Sequence, residues 1–297
     1  ICDNLLQAVF LSAACPVWVA PAMDEDMWKH SSLKRNLNIL QADGVNILQV
    51  GEGDLASGLS GMGRMAEPEE IIAEVKEYFS DIFSLRGTNV LITSGPTIEP
   101  IDPVRFISNH SSGKMGAGLA NAFIRSGADV TIITGPTHER INMKSKVIHV
   151  RSAEDMFEAC MKEFDNARLI IMAAAVADFT PVSISTEKIK KSSGNKTIEL
   201  KPTRDILLEA GKRKKANQLL VGFALETENE KANALEKLEK KNADYIILNS
   251  LKDEGAGFGK ETNKVTIFGR DSSLTAFPLK RKEDLAMDIV TFLSKKL

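Results

Sequence analysis

The chain has 297 residues, 43% hydrophobic and 26% charged, and carries a formal net charge of −2. That length accommodates one large domain or two. Near-neutral charge excludes nucleic acid as the main partner, because phosphate backbones select basic surfaces, and no apolar run approaches the roughly eighteen residues that cross a membrane.

The first region opens with a helix expected over Leu5–Ser12, then a strand-like run Val17–Ala20 stopped by Pro21. A polar helix over Ser31–Gln41, a strand over Asn46–Val50 and a glycine-dense loop over Gly51–Gly63 follow. Pro68 heads a helix over Glu69–Phe79, whose acidic first turn suits the helix dipole. With so few evident strands this region buries little core by itself.

After a short join at Ser80–Gly87, strands and helices alternate. Strands are expected at Asn89–Thr93, Val130–Thr134, Lys146–Val150, Leu169–Ala174, Leu219–Ala224, Tyr245–Asn249 and Lys264–Phe268. Helices are expected over Gly113–Ser126, from the N-cap Ser152 to Phe164, and over Asp205–Lys214, Glu230–Lys241 and Lys282–Lys296. A long polar excursion, Phe179–Lys201, interrupts the pattern. Repeated βα units imply an α/β, doubly wound, mostly parallel sheet.

Cys2, Cys15 and Cys160, like His30, His110, His138 and His149, are too scattered for a disulfide framework or a transition-metal ligand set. A cytoplasmic location is the expectation. The chain starts at Ile1 without an initiator Met or signal-peptide pattern, as a piece of a longer protein would.

In a doubly wound sheet ligands bind beyond the carboxyl ends of the strands. The first strand of the second region leads to Ser94-Gly95-Pro96-Thr97, and Ser108–Gly118 is rich in Ser and Gly and opens a helix. Such a turn lets a phosphate approach backbone N–H groups, or simply lets the helix pack closely. It matches neither the dinucleotide fingerprint nor the P-loop spacing. Arg105 and Asn109 precede it; they can hold a phosphate and an acyl oxygen, or be an ordinary surface Arg and turn Asn.

Ala173-Ala174 leads to Asp178 at the end of the most apolar strand, a place for a flat ring or ribose, or for Asp178 to hold Mg²⁺. The alternative is a tightly packed strand with a turn Asp. Glu187-Lys188-Ile189-Lys190-Lys191 is a lysine loop able to close over a triphosphate, or a solvated face. Lys237, Lys240 and Lys241 fall at a helix C-terminus, which favours cations anyway. In the first region, Pro21-Ala22-Met23-Asp24 follows a strand, and the loop Gly51–Met65, with Arg64 near its end, reads as a lid or clamp over an anion or as a plain loop.

Over residues 85–297 the segments ITSGPTIEPIDPVRFISNHSSGKMG (92–116), AAAVADF (173–179), EKIKK (187–191), RDIL (204–207), VGFALET (221–227) and KLEKKNAD (237–244) resemble the phosphopantothenate–cysteine ligase domain of the CoaBC, or Dfp, family. Residues 1–80 resemble the C-terminal part of that family's flavodoxin-like, FMN-dependent decarboxylase domain, through DNLL, PAMDEDMW and the loop ending Gly-Arg-Met. The resemblance implies CTP-dependent ligation of phosphopantothenate to cysteine through an acyl-cytidylate, with Mg²⁺. It assigns Asn109, Arg105 and Lys188 to catalysis. It assigns Ala173, Ala174, Asp178, Lys188, Arg204, Asp205, Ile206, Leu207, Phe223, Lys237 and Lys241 to the nucleotide, and Asp24, Arg64 and Asn109 to substrate. It also implies homo-oligomers built through ligase-domain dimers.

Three positions depart from the family pattern. Arg204 stands where Pro is common, Asp24 where the usual motif has Asn, and Ser57 at the place of the proton-donating Cys. An alcohol is a far weaker acid than a thiol, which counts against decarboxylation by this chain. The first half of the flavin domain, with its phosphate loop and catalytic His, has no counterpart in the sequence. Two rivals remain: a dinucleotide-dependent oxidoreductase, which wants a G-x-G-x-x-G turn, and a non-catalytic flavoprotein-like subunit, against which Asn109, Lys188 and Asp178 speak.

Overall fold

The structure is a computed structural model and describes residues 2–82, 84–190, 195–226, 229–250 and 260–297. Lys191 of the lysine loop lies outside them. The chain divides into two compact units, Ile1–Asp81 and Ile82–Leu297.

Unit 1 contains helix α1 (Leu5–Ser12), strand β1 (Trp18–Val19), α2 (Glu25–Lys29), α3 (Ser31–Ala42), β2 (Asn46–Ile47), β3 (Gly51–Asp54), β4 (Ser60–Arg64) and α4 (Pro68–Ile82). Asn4 caps α1 by accepting from the Gln7 N–H at 3.0 Å. The short strands β1 and β2 pair in parallel. The expected glycine-dense loop is instead an antiparallel hairpin, β3 with β4. Its glycines have a steric cause. Gly63 has φ +133°, and a Cβ there would stand 2.1 Å from the Met23 carbonyl oxygen, while the Met23 N–H donates back to Gly63 O at 2.9 Å. Only a residue without a side chain lets the 21–25 segment lie against β4.

Unit 2 is built on β5 (Asn89–Ser94), β6 (Ile98–Pro100), β7 (Phe106–Ser108), α5 (Lys114–Arg125), β8 (Asp129–Thr134), β9 (Lys146–His149), α6 (Ala153–Glu163), β10 (Leu169–Met172), β11 (Phe179–Pro181), β12 (Leu200–Pro202), α7 (Ile206–Arg213), β13 (Leu219–Glu226), α8 (Glu230–Lys240), β14 (Tyr245–Ser250), β15 (Thr262–Gly269), β16 (Leu274–Arg281) and α9 (Lys282–Ser294). Among the described residues, eight strands form one sheet in the order β16-β15-β14-β13-β10-β5-β8-β9. The run β14-β13-β10-β5-β8-β9 is parallel, whereas β15 and β16 add as antiparallel strands at the edge. The expected parallel sheet therefore holds for the centre. β16 went unseen in the sequence because it is an edge strand of exposed and half-buried residues, none of them buried. The polar excursion contributes β11 and β12, a small antiparallel pair.

The central strands are apolar because both faces are covered. Leu169, Ile170 and Ile171 of β10 are fully buried, with Ile171 set beside Ile92 and Val221. Alternate residues feed different cores. Ile92, Ile171 and Ile247 pack with Leu119 and Phe123 of α5 and Leu285 and Ile289 of α9. Leu91, Ile170 and Ile246 pack with Phe157 of α6, Leu207 of α7 and Leu238 of α8. Thus α5 and α9 cover one face, and α6, α7 and α8 the other.

Helix α6 starts in a capping box. The Asp155 N–H donates to Ser152 Oγ at 3.1 Å and the Ser152 N–H to Asp155 Oδ2 at 2.9 Å, a pairing worth about 1 kcal/mol. No helix among the described residues is long and apolar enough to cross a membrane.

Candidate functional site

From β5 the chain moves one way along the sheet, to β8 and β9, and then returns to lay β10, β13 and β14 on the other side of β5. The crevice beyond the carboxyl ends of β5 and β10 is therefore the topological switch point, where an open α/β sheet binds ligands. A cavity of about 630 Å³ lies there. Its walls come from β5 (Thr93), the start of α5, the end of β10 (Met172–Val176), Asp178, Thr203–Leu207, β13 (Phe223–Leu225), Lys237 and Lys241 near the end of α8, and Asn249, Asn263 and Lys282.

The residues that hold this crevice open are specific. Gly113, the N-cap of α5, has φ +83°, and a Cβ on it would stand 2.9 Å from Thr137 Oγ1. Ser94 Oγ donates to Gly113 O at 3.2 Å and Thr137 Oγ1 to Ser112 O at 2.6 Å, so the turn before α5 is fastened from below. Across the crevice, the Ala177 N–H donates to Thr97 Oγ1 at 2.9 Å, and Thr203 Oγ1 donates to Ala177 O at 2.6 Å.

Asn109 bridges the two sides. Its Nδ2 donates to the carbonyl oxygens of Ala175 at 2.9 Å and Val176 at 3.1 Å. Both N–H groups of the amide are thereby engaged, so what Asn109 offers a ligand is its oxygen, an acceptor. The expected role as donor to an acyl oxygen is not the one this geometry presents.

Arg105 does not line the cavity. Its guanidinium pairs with Asp102, donating from Nε at 2.9 Å and also from Nη2, and it donates to Ile189 O at 2.8 Å. Asp102 also accepts from the Val104 and Arg105 N–H groups at 2.8 Å each and from the Ile189 N–H at 3.1 Å. The Arg105 guanidinium, helped by those three N–H donors, holds the Asp102 carboxyl well below the usual carboxylate range. The pair is a clasp that grips both backbone groups of Ile189. Lys188, the residue before it, is exposed and lies outside the cavity wall.

At the α7–α8 side, Asp205 caps α7. Its Oδ1 accepts the Leu208 N–H at 2.8 Å and its Oδ2 accepts from Lys241 Nζ at 2.6 Å. Burial pushes the Asp205 carboxyl up, but Lys241 and the capped N–H outweigh it and hold it low. Lys237 Nζ donates to Phe223 O at 2.9 Å. Arg204 is drawn aside. It pairs with Glu154, with Nε to Oε2 at 3.0 Å, and its guanidinium lies 3.6 Å from the centre of the Phe157 ring. The Asp178 carboxylate is exposed beside Thr203, whose N–H donates to Asp178 O at 2.9 Å.

Residues that sequence reasoning passed over complete the wall. Asn249 Oδ1 is a buried side-chain oxygen without a hydrogen-bond partner among the described residues. Asn263 and Lys282 are buried, at 2% and 8% exposure. Asn249 was detectable, since it is the first polar residue after the apolar run Tyr245–Leu248 at a strand's carboxyl end. Lys282 sits in Lys-Arg-Lys-Glu-Asp and looks like an ordinary solvated helix start.

In unit 1, Ser57 Oγ donates to Asp24 Oδ1 at 2.6 Å, bringing together two of the family-assigned positions. Arg64 pairs with Glu67 at 2.6 Å. All three residues are partly or fully exposed, and the hydrophobic side chains buried among the described residues of this unit are Val45, Leu48, Val50 and Ala66.

For a metal, no cluster of three or more His, Cys, Asp or Glu exists among the described residues. Asp178 and Asp205 are the carboxylates that line the cavity, and Asp205 is engaged by the Leu208 N–H and Lys241. That donor set suits Mg²⁺, which is commonly held by one or two carboxylates together with substrate phosphates.

The family model described as DNA/pantothenate metabolism flavoprotein C-terminal domain matches residues 85–297, and the flavoprotein model matches residues 1–80. The coenzyme A biosynthesis bifunctional protein CoaBC of Bacillus subtilis (strain 168) is 45% identical over 293 residues, 98% of this chain and 72% of that protein. The chain belongs to the CoaBC, or Dfp, family. A cysteine/cysteine sulfinic acid decarboxylase from an unknown prokaryotic organism is 55% identical over 295 residues, 98% of this chain and 82% of that protein. The crystal structure of the C-terminal domain of a CoaBC protein superposes with a TM-score of 0.62 at 37% identity, covering 72% of this chain and 97% of that one.

Proposed function

We propose that residues 85–297 join 4′-phosphopantothenate to cysteine, using CTP and Mg²⁺. The observation that carries this reading is convergence. Asn109, Ala173, Ala174, Asp178, the stretch Arg204–Leu207, Phe223, Lys237 and Lys241, far apart in sequence, line one cavity at the switch point of the sheet. CoaBC kinship over nearly the whole chain supports a reaction of coenzyme A biosynthesis.

In this reading the phosphopantothenate carboxylate attacks the α-phosphorus of CTP and pyrophosphate leaves, giving an acyl-cytidylate. The cysteine amine then attacks the acyl carbon, losing a proton, and CMP departs with the former carboxylate oxygen. Activation is needed because a carboxylate oxygen is no leaving group until phosphorylated. Ala173 and Ala174 leave room for a flat base or ribose, and Phe223 adds an apolar surface. Lys237 and Lys241 carry positive charge to the nucleotide side of the cavity. Mg²⁺ neutralises phosphate charge when bound, and Asp178 is the protein oxygen that would hold it. The Asn109 oxygen accepts from the incoming ammonium and orients the amine. Lys188 covers the nucleotide from the strip fastened by Arg105 and Asp102, which makes Arg105 a positioning residue. Association through ligase-domain dimers belongs to the same proposal, and light scattering of the purified chain tests it.

Labelling tests the chemistry. Phosphopantothenate with heavy oxygen in its carboxylate should deliver one labelled oxygen to CMP. Unlabelled CMP alongside labelled product would refute the acyl-cytidylate.

For residues 1–80 the name of one relative, cysteine/cysteine sulfinic acid decarboxylase, points to a carboxyl group of a cysteine-type compound as substrate. The Ser57–Asp24 pair is the candidate centre of that region.

A further inference from the structure

Three consecutive residues, Thr203, Arg204 and Asp205, carry the chain into the cavity wall, and each grips a different neighbour. The Thr203 N–H donates to Asp178 O at 2.9 Å and its Oγ1 to Ala177 O at 2.6 Å, tying it to the turn beyond β10. Asp205 caps α7 and pairs with Lys241 at the end of α8. Arg204 turns to α6. Its Nε donates to Glu154 Oε2 at 3.0 Å, its Nη2 donates to the other oxygen of the same carboxylate, and its guanidinium lies 3.6 Å from the centre of the Phe157 ring. Glu154 and Phe157 are three positions apart on α6, so one face of the helix receives both the fork and the flat of the guanidinium.

An ion pair between half-exposed partners, here 51% and 54%, contributes little alone. A two-point contact with one carboxylate fixes the guanidinium plane, and stacking on a buried ring anchors that plane to the core behind α6. The Arg204 backbone has no such support, for its N–H donates no hydrogen bond among the described residues. Its side chain therefore supplies the order at this position. Pro, common here in the family pattern, supplies order in another way, by a ring that fixes φ and dispenses with the N–H.

We propose that Arg204 is a positioning residue for the ligand of this cavity: its hold on Glu154 and Phe157 sets the backbone of the 203–207 wall, and its guanidinium does not touch the ligand. This rests on the reading that the wall faces the nucleotide of the ligase reaction.

The test uses the whole chain, with CTP as the probe in calorimetry and steady-state kinetics. Arg204→Ala should weaken CTP binding and raise its KM about fivefold, the effect of losing one exposed ion pair and one ring contact, with kcat within about twofold of native. Arg204→Pro should bind CTP more tightly than Arg204→Ala, because the ring restores a fixed backbone without the charge. Glu154→Gln keeps the Arg204 charge but weakens its anchor, and should weaken CTP binding about twofold. This is a surface change, so it stays informative even if Arg204→Pro fails to fold. A guanidinium that touched the nucleotide would give the opposite order: Arg204→Pro as weak as Arg204→Ala, and Glu154→Gln tighter than native. Either result, or native-like CTP binding in Arg204→Ala, would overturn the proposal. Hydrogen exchange without ligand separates it from the ligase reading. The Thr203 and Leu208 N–H groups, bonded to Asp178 O and Asp205 Oδ1, should exchange faster in Arg204→Ala and Glu154→Gln than in the native chain. Faster exchange in a chain that binds no CTP and forms no product would sink the ligase reading and leave the positioning role standing. Unchanged exchange in both variants would overturn that role whatever the ligand.

Discussion

Replacing Asn109 by Asp changes few atoms and inverts the local electrostatics. In the native chain the amide nitrogen gives one hydrogen bond each to Ala175 O and Val176 O, at 2.9 and 3.1 Å. Asn109→Asp puts a carboxylate oxygen in that place, facing two carbonyl oxygens. Each lost bond with an opposed acceptor costs about 1–3 kcal/mol when buried; Asn109 is exposed, so we expect the lower end, about 2 kcal/mol for the pair. The side chain relieves this by turning away, which moves the 108–112 turn off the β10 end. A displacement of about 1 Å at a reacting centre lowers rates about a hundredfold. The assay is pyrophosphate release with phosphopantothenate, cysteine and CTP, beside a melting curve. We expect kcat to fall about a hundredfold and the melting temperature to fall by about 4–8 °C, as a cost of about 2 kcal/mol implies for a domain of this size. Asn109→Ala, which leaves the carbonyls to water, should fall less. An unchanged kcat in Asn109→Asp would refute the reasoning and remove Asn109 from the mechanism.

Other consequences are equally concrete. Arg105→Ala opens the clasp on Ile189, so trypsin should cut after Lys188 and Lys190 faster than in the native chain; equal cleavage would mean the clasp fastens nothing. Gly113→Ala forces a side chain into a left-handed conformation against Thr137 and should cost about 1–2 kcal/mol of stability by denaturant titration. Burial lowers the Lys282 pKa, so the folded chain holds that proton less tightly than the unfolded one. Its charge therefore weighs against folding below the lowered pKa and is relieved as pH rises through it. The stability difference between native and Lys282→Gln chains should accordingly shrink toward alkaline pH.

The centre of the fold was legible because the central strands are buried on both faces and read as apolar runs. The 169–172 segment is the clearest case, and Ser152 with Asp155 announced the start of α6. β16 was hidden by its exposed alternation, and the hairpin of unit 1 by its glycines, which signal flexibility in sequence but here answer the close approach of Met23. In the cavity, Asp178, Phe223 and the two α8 lysines were readable from family segments. Arg105 was visible as a residue but not as a clasp, because Ile189, which it grips together with the nearby Asp102, lies 84 positions away. Lys282 could not be read at all. Its burial depends on the end of β16 delivering α9 beside α5, a long-range packing event with no local trace.

The most direct measurement incubates the chain with phosphopantothenate, cysteine and Mg²⁺, with either CTP or ATP, and follows pyrophosphate and product mass together. The account predicts phosphopantothenoylcysteine, one pyrophosphate and one CMP per turnover, with CTP preferred. No phosphopantothenoylcysteine with either nucleotide would contradict it.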